Sequence, residues 1–321
     1  MAPTTGTVSA ETEKRKAALS SVLAAIFLTA FKIIVGIATG SLGILAEAAH
    51  SALDLVAALV TFFAVRFSDR PPDEEHPYGH GKIENFSALI ETVLLLITSA
   101  WIIYEAINRL FFEDVAVDAS VWAFLVMGVS IFVDYNRSRM LQRAAQKHNS
   151  QALEADALHF STDIWSSSVV IVGLVGVKLA EWVPGLSFLS KADAIAAVIV
   201  AIIVIFVSLQ LGKRTVQALL DTAPAKLPGE IKAAVEAVPG VVECHHVRVR
   251  EAGPYLFVDA HVALAGDPPL SEAHDIVLTI EAAIRQIAPR SDVTVHADPE
   301  TTVMPRLARE KAAEELRHTP D

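Results

Sequence analysis

Glu47-Ala-Ala-His50-Ser-Ala-Leu-Asp54 lies inside Leu42–Phe67, a stretch otherwise almost wholly apolar and long enough to cross a bilayer. An ionisable group at mid-bilayer costs about 3 kcal/mol on insertion scales, so a chain that puts an imidazole and carboxylates there needs a compensating partner. Asp156-Ala-Leu-His159-Phe-Ser-Thr-Asp163 repeats the same word (acid, two residues, His, three residues, Asp) inside a second apolar stretch, Ala152–Leu179. His and Asp at i and i+4 project from one helix face, one turn apart. Two such helices facing each other supply two imidazoles and two carboxylates, a donor set that suits tetrahedral Zn²⁺. Polar groups that merely hydrogen-bond one span to another explain a single pair more readily than two pairs with matched spacing. Glu47 and Asp156 stand nearly one turn before each His, where they line an entry path or orient the imidazoles from behind.

Outward from these two segments, four more stretches are apolar enough to span: Ala18–Ala38, Phe86–Leu110, Val117–Met140 and Ala192–Leu211. The expected links are Thr39-Gly40-Ser41, Arg70–Lys82, the acidic Glu113–Asp118, Arg137–Lys147 and Trp182–Lys191. Lys14, Arg15, Lys16, Arg66, Arg70, Lys82, Arg137, Arg139, Arg143, Lys147, Lys213 and Arg214 fall on one side of a six-span chain, against Arg109, Lys178 and Lys191 on the other. That bias predicts a multi-pass protein with both termini cytoplasmic. The first apolar run is read as a retained span rather than a signal peptide, because no small-residue cleavage site follows it.

Hydrophobic residues make up 53% of the chain, and the formal net charge is −11. The acidic balance argues against a nucleic-acid partner, which calls for Lys/Arg patches. One cysteine, Cys244, rules out an internal disulfide and reads as packing. The chain lacks His-Glu-x-x-His and any serine-nucleophile motif, so a membrane metallohydrolase is disfavoured and no enzyme is expected.

After Arg214 the pattern changes. Pro224 and Pro228 mark a linker, Gly229–Ala237 reads as a helix, and Val242–Arg250 and Tyr255–Leu264 read as strands around Glu251-Ala-Gly-Pro254. Ser271 is expected to cap a helix running to Ile287, and Asp292–His296 to form a third strand. The fold class is therefore a membrane all-α six-helix transporter domain followed by a small cytoplasmic α+β domain, αββαβ, ferredoxin- or metallochaperone-like. The expected boundaries are 1–16 for a cytoplasmic N-terminal segment, 17–214 for the transmembrane domain, 215–300 for the cytoplasmic domain and 301–321 for a charged tail.

Two further clusters have ligand chemistry. In the Arg70–Lys82 loop, Asp73, His76 and His80 offer three donors. In the C-terminal domain His245 and His261 sit on the hairpin strands, His296 and Asp298 share one side of the third strand, and His274 begins the preceding helix. Side chains on strands about 4.8 Å apart converge. Strict alternation turns His246 to the face opposite His245 and makes it the weaker candidate, while His148 and His318 read as surface residues.

With these motifs assembled, the chain resembles the cation diffusion facilitator family of proton-coupled metal exporters, over nearly its whole length. The resemblance is carried by Ser41-Leu-Gly-Ile-Leu-Ala-Glu-Ala-Ala-His50-Ser-Ala-Leu-Asp54, His76-Pro-Tyr-Gly-His80-Gly-Lys82 and His159-Phe-Ser-Thr-Asp163. It implies a homodimer in a lipid membrane, with divalent metal ions and protons as the transported species. It also implies a transport site at His50, Asp54, His159 and Asp163, and a loop site at Asp73, His76 and His80. A binuclear cytoplasmic site at the dimer interface would draw on His245, His261, His274, His296 and Asp298, and Lys82 and Asp221 would form an interprotomer charge interlock. Some members carry Asp where this chain has His50; the His-Asp/His-Asp set resembles the zinc-selective branch. Efflux of Zn²⁺ by H⁺ antiport is thus expected from the plasma (inner) membrane. The alternatives are a broader Mn/Fe/Co/Ni exporter or a non-transporting metal-sensing regulatory subunit.

Overall fold

The computed structural model describes residues 5–111, 121–182 and 192–301. The links at Glu113–Asp118 and 183–191, the charged tail beyond residue 301 and His318 lie outside the described residues. The chain divides into two compact units, Met1–Val216 and Gln217–Asp321.

Among the described residues six long helices begin in the first unit: α1 (Thr5–Thr39), α2 (Leu42–Ser68), α3 (Lys82–Phe111), α4 (Val121–His148), α5 (Gln151–Trp182) and α6 (Ala192–Leu219). Among the described residues, stretches of α1, α2, α3 and α6 are long and apolar enough to cross a membrane. α4 and α5 carry more charge, including Asp134, Arg137, Asp156 and Asp163. The segment Arg137–Lys147, expected as a link, instead forms the last turns of α4.

Large apolar side chains such as Leu23, Ile34, Leu53, Trp101 and Phe206 are exposed. An apolar surface of this kind drives association in water and is at home in lipid. Inside, small residues set the helix spacing: Ala17, Ala18, Ala145, Ala152 and Ala157 pack with Val65, Leu141, Leu153 and Phe160 where α1, α2, α4 and α5 meet. A Cβ on Gly212 would stand 2.9 Å from Thr92 Cγ2, so the glycine permits the approach of α6 to α3. This unit is a helical transmembrane domain.

The bundle also buries charge. Lys14, fully buried, donates to Asp69 (2.5 Å) and Glu84 (2.8 Å), and Glu84 also accepts from Ser68 and Ser150. This knot joins α1, the end of α2, α3 and the residue preceding α5. Arg137 Nε donates to Ser21, which donates to Asp156, and the guanidinium stacks 3.2 Å from the Phe160 ring centroid. Lys14 and Arg137, counted above among the charges flanking the spans, are therefore parts of the interior. His148, expected at the surface, is buried against Glu13 at 2.9 Å.

The second unit is αββαβ: α7 (Leu227–Glu236), β1 (Val241–Ala252), β2 (Tyr255–Leu264), α8 (Leu270–Ile287) and β3 (Ser291–Pro299). The sheet order is β1-β2-β3, with β1 antiparallel and β3 parallel to β2. The parallel pair requires a crossover, which α8 provides. Ile231 and Val235 of α7 and Ile280 and Ile284 of α8 pack on Cys244, Val249, Val258, Ala260, Val262 and Val293. The helices thus cover one face of the sheet, while His261 and His296, out of phase with these core residues, lie on the other. Ser271 is not the cap expected of it: α8 starts at Leu270 behind Pro269, and no side chain caps it. Burial raises the Cys244 thiol to about 11, as suits a packed and unreactive cysteine.

Candidate metal centres

α2 and α5 bring the repeated words together. His159 Nε2 lies 3.2 Å from Asp54 Oδ1 and 3.7 Å from Asp163 Oδ2, while His50 Nε2 lies 3.8 Å from Asp54 Oδ1 and 4.0 Å from Asp163 Oδ1. Ligands about 2.0–2.1 Å from a tetrahedral Zn²⁺ stand roughly 3.3 Å from one another. Asp54, His159 and Asp163 each place a ligand atom within 4.8 Å of the others, and His50, in reach of both carboxylates, stands just outside that set of three. Asp54 and His159 are buried, and His159 Nδ1 has no hydrogen-bond partner among the described residues. A buried ring nitrogen left unpaired asks for a ligand or water.

A cavity of about 480 Å³ opens onto this cluster and is lined by Lys32, Glu47, His50, Asp54, Asp134, Arg137 and Asp163 among others. Glu47 pairs with Lys32 at 3.3 Å, and Lys32 also donates to Ser51 at 2.8 Å. Asp156 accepts from Ser21 at 2.8 Å. Neither Glu47 nor Asp156 hydrogen-bonds an imidazole among the described residues. Lys32 and Asp134 were not singled out from sequence, although the same cost of burying charge in an apolar span applies to both.

In the loop, Asp73 Oδ1 lies 3.3 Å from His76 Nδ1, and Asp73 Oδ2 lies 3.4 Å from His80 Nε2. The His76 backbone N–H donates to Asp73 at 2.7 Å and holds its carboxyl below the usual range, so the carboxylate is ready as a ligand. Gly79, at φ 77°, makes the turn that returns His80 to His76, and the two rings lie 4.4 Å apart.

In the second unit the register aligns His245 with His261 and His261 with His296 across all three strands. Asp298 lies below them: Oδ2 is 3.7 Å from His245 Nε2 and 3.6 Å from His261 Nδ1, and Oδ1 is 3.2 Å from His296 Nε2. Both ring nitrogens of His245 and Asp298 Oδ2 are buried without hydrogen-bond partners among the described residues. Burial and the neighbouring His246 depress the His245 pKa, which favours the neutral, ligating imidazole. His274 is exposed on α8, with no contact to this cluster among the described residues. Lys82 opens α3, and Asp221, at φ 58°, faces Arg250 at 3.9 Å.

His246 departs from the expectation of strict alternation. Between the pairs His245↔His261 and Arg248↔Asp259, β1 advances three residues while β2 advances two, so β1 carries a bulge. The bulge brings the His246 ring to 4.9 Å from that of His245 and 5.6 Å from that of His261.

The family model for the cation efflux transmembrane domain matches residues 18–220, and that for the cation efflux protein cytoplasmic domain matches residues 224–300. The chain belongs to the cation diffusion facilitator family. It is accordingly a multi-pass cation efflux transporter for divalent metals and not an enzyme. It is similar to the cation-efflux pump FieF of Salmonella newport (strain SL254), 32% identical over 299 residues, covering 92% of this chain and 95% of that protein. The cation-efflux pump FieF of Yersinia enterocolitica is likewise 32% identical over 295 residues, 91% of this chain and 94% of the relative. Among solved structures, the MamM-CTD fragment 215-293 is 27% identical and covers 23% of this chain and 94% of that one, at a TM-score of 0.22.

Proposed function

We propose that this family member exports Zn²⁺ by H⁺ antiport with alternating access, and that His50, Asp54, His159 and Asp163 form its transport site. The observation that carries the reading is the meeting of two i,i+4 His–Asp pairs, from α2 and α5, beside one cavity. Mixed imidazole and carboxylate donors suit Zn²⁺ and its neighbours, whereas Mg²⁺ and Ca²⁺ favour all-oxygen shells. Ligation needs neutral imidazoles and ionised carboxylates, so metal and protons compete for the same atoms. With the site open inward, cytosolic Zn²⁺ replaces protons; with it open outward, protons displace Zn²⁺ and return down their gradient.

Asp73, His76 and His80 would gather metal at the loop. His245, His261, His296 and Asp298, with His274, would bind it in the cytoplasmic domain of residues 215–300. The working form is a homodimer in the inner membrane with both termini cytoplasmic, and Lys82 and Asp221 would contribute a charge interlock between protomers. Metal held in the cytoplasmic domain activates transport only through a difference in affinity between two conformations.

The test is uptake of Zn²⁺, Mn²⁺, Fe²⁺ and Co²⁺ into proteoliposomes under an imposed pH gradient, for wild type and Asp54→Ala. Zinc flux that requires both the gradient and Asp54 supports the proposal. Comparable flux of Mn²⁺, Fe²⁺ or Co²⁺ replaces it with the broader exporter, and absent flux with metal binding intact replaces it with a sensing subunit.

A further inference from the structure

His246 lies at φ 51°, in the left-handed region that few residues other than glycine occupy inside a strand, although histidine enters it more readily than most. A bulge serves to re-aim a side chain, and strain retained in a strand points toward function. Here the re-aimed group is an imidazole, delivered to two others. We infer that His246 is a metal ligand that, with His245 and His261, closes a three-histidine site within one protomer. This inference rests on the proposal that the cytoplasmic domain binds metal.

Three observations support it. One nitrogen from each of His245, His246 and His261 falls within a common 4.8 Å. The rings of His245 and His261 are themselves 5.6 Å apart, so the three imidazoles surround one point. Both nitrogens of His245 are buried and unpaired among the described residues, and a bound cation satisfies one of them.

The chemistry differs from that of the carboxylate-bearing set beside it. Three neutral imidazoles leave one tetrahedral position to water, the arrangement of an open, exchangeable site. An all-nitrogen set favours Zn²⁺, Co²⁺, Ni²⁺ or Cu²⁺ over Mn²⁺, Mg²⁺ and Ca²⁺. His261 also lies within reach of His296 and Asp298. A neutral imidazole has one free lone pair, so His261 serves either the histidine triad or the Asp298 set, but not both at once. Loss of His246 therefore moves the ion toward Asp298 and exchanges nitrogen for oxygen in its shell.

The test is a Co²⁺ titration of the full-length chain in detergent, followed by visible absorption. It is carried out in a background of Asp54→Ala, Asp163→Ala, His76→Ala and His80→Ala, so that the cytoplasmic sites are read alone. His246→Asn is the main variant because Asn tolerates positive φ, and His246→Gly relieves the backbone altogether. Both are expected to weaken Co²⁺ binding by about tenfold or more and to shift its absorption, while Glu272→Ala, exposed on α8, changes the affinity by less than about twofold. Unchanged affinity and spectrum in both His246 variants would overturn the inference. Wild-type chain in proteoliposomes separates this from the proposed function. His246-dependent binding without gradient-driven flux refutes the transport mechanism alone; gradient-driven flux with His246-independent binding refutes this inference alone.

Discussion

His159 Nε2 lies 3.2 Å from Asp54 Oδ1, joining α5 to α2 across residues 105 positions apart in the chain. The contact completes what each i,i+4 pair leaves open, because one helix face offers two donors and a tetrahedral ion needs four. It also sets the proposed transport ligands at an interface between helices, so that a relative movement of α2 and α5 would change their spacing.

Asp54→Asn keeps the shape of the side chain and removes its charge. Altering groups that only orient a ligand already costs about 10–100-fold in affinity, so loss of a ligand itself is expected to lower Zn²⁺ transport by at least ~100-fold. The initial rate of flux into proteoliposomes checks this, and a rate within a few-fold of wild type would remove Asp54 from the site.

Glu84→Ala strips the carboxylate from the buried knot with Lys14, Ser68 and Ser150. Lys14 keeps Asp69 as a partner, so the loss is expected to fall below the about 3–5 kcal/mol of a fully uncompensated buried charge. Thermal unfolding in detergent should show a clear fall in Tm. Lys147→Ala should show little change, since its pair with Glu13 is partly solvated.

Cys244 should be nearly inert to thiol reagents in the folded protein. With its pKa at about 11, the thiolate is roughly one part in a thousand at pH 8, and alkylation should accelerate tenfold per pH unit. The linkage has a definite sign. The folded pKa lies above the unfolded one, so the unfolded chain releases this proton first and stability falls as pH rises through the window from about 9 to 11. Cys244→Ala should remove that part of the alkaline loss, as measured by unfolding at stepped pH.

Gly79→Ala should weaken the loop cluster without crowding it. The nearest atom to an added Cβ, in Pro72, is 3.7 Å away, so the cost is the left-handed backbone at φ 77°. That penalty is about 1–2 kcal/mol. If the loop rearranges to avoid it, Asp73, His76 and His80 no longer meet. Zn²⁺ affinity at the loop, read in a background of Asp54→Ala, Asp163→Ala, His245→Ala, His261→Ala and Asp298→Ala, should fall by about tenfold.

Much of this was legible in the chain. Apolar length gave six helices their places, because a bilayer sets a minimum span; the spacing of His50 with Asp54 and of His159 with Asp163 gave each pair one face, because a helix turns every 3.6 residues. Alternation likewise put His296 and Asp298 on one side of the third strand. His246 shows how the same rule fails. Cys244 and Val249 both enter the core of the second unit and are separated by an odd number of steps, which demands one extra residue between them. That parity is written in the sequence, but only the partner strand shows that both residues are core and therefore that the bulge exists.

The sequence by itself determined which residues offer metal-ligand atoms and, wherever the helix or strand is regular, how each is phased on its own element, since periodicity is a local property of the backbone. Tertiary structure alone decided which of them meet. The 3.2 Å approach of His159 to Asp54, the enclosure of Lys14 and Arg137 inside the bundle and the turning of His246 toward His245 depend on pairings between segments distant in the chain. Those pairings follow from packing, in which alanines let helices close and a buried charge is retained only where a partner from another element satisfies it.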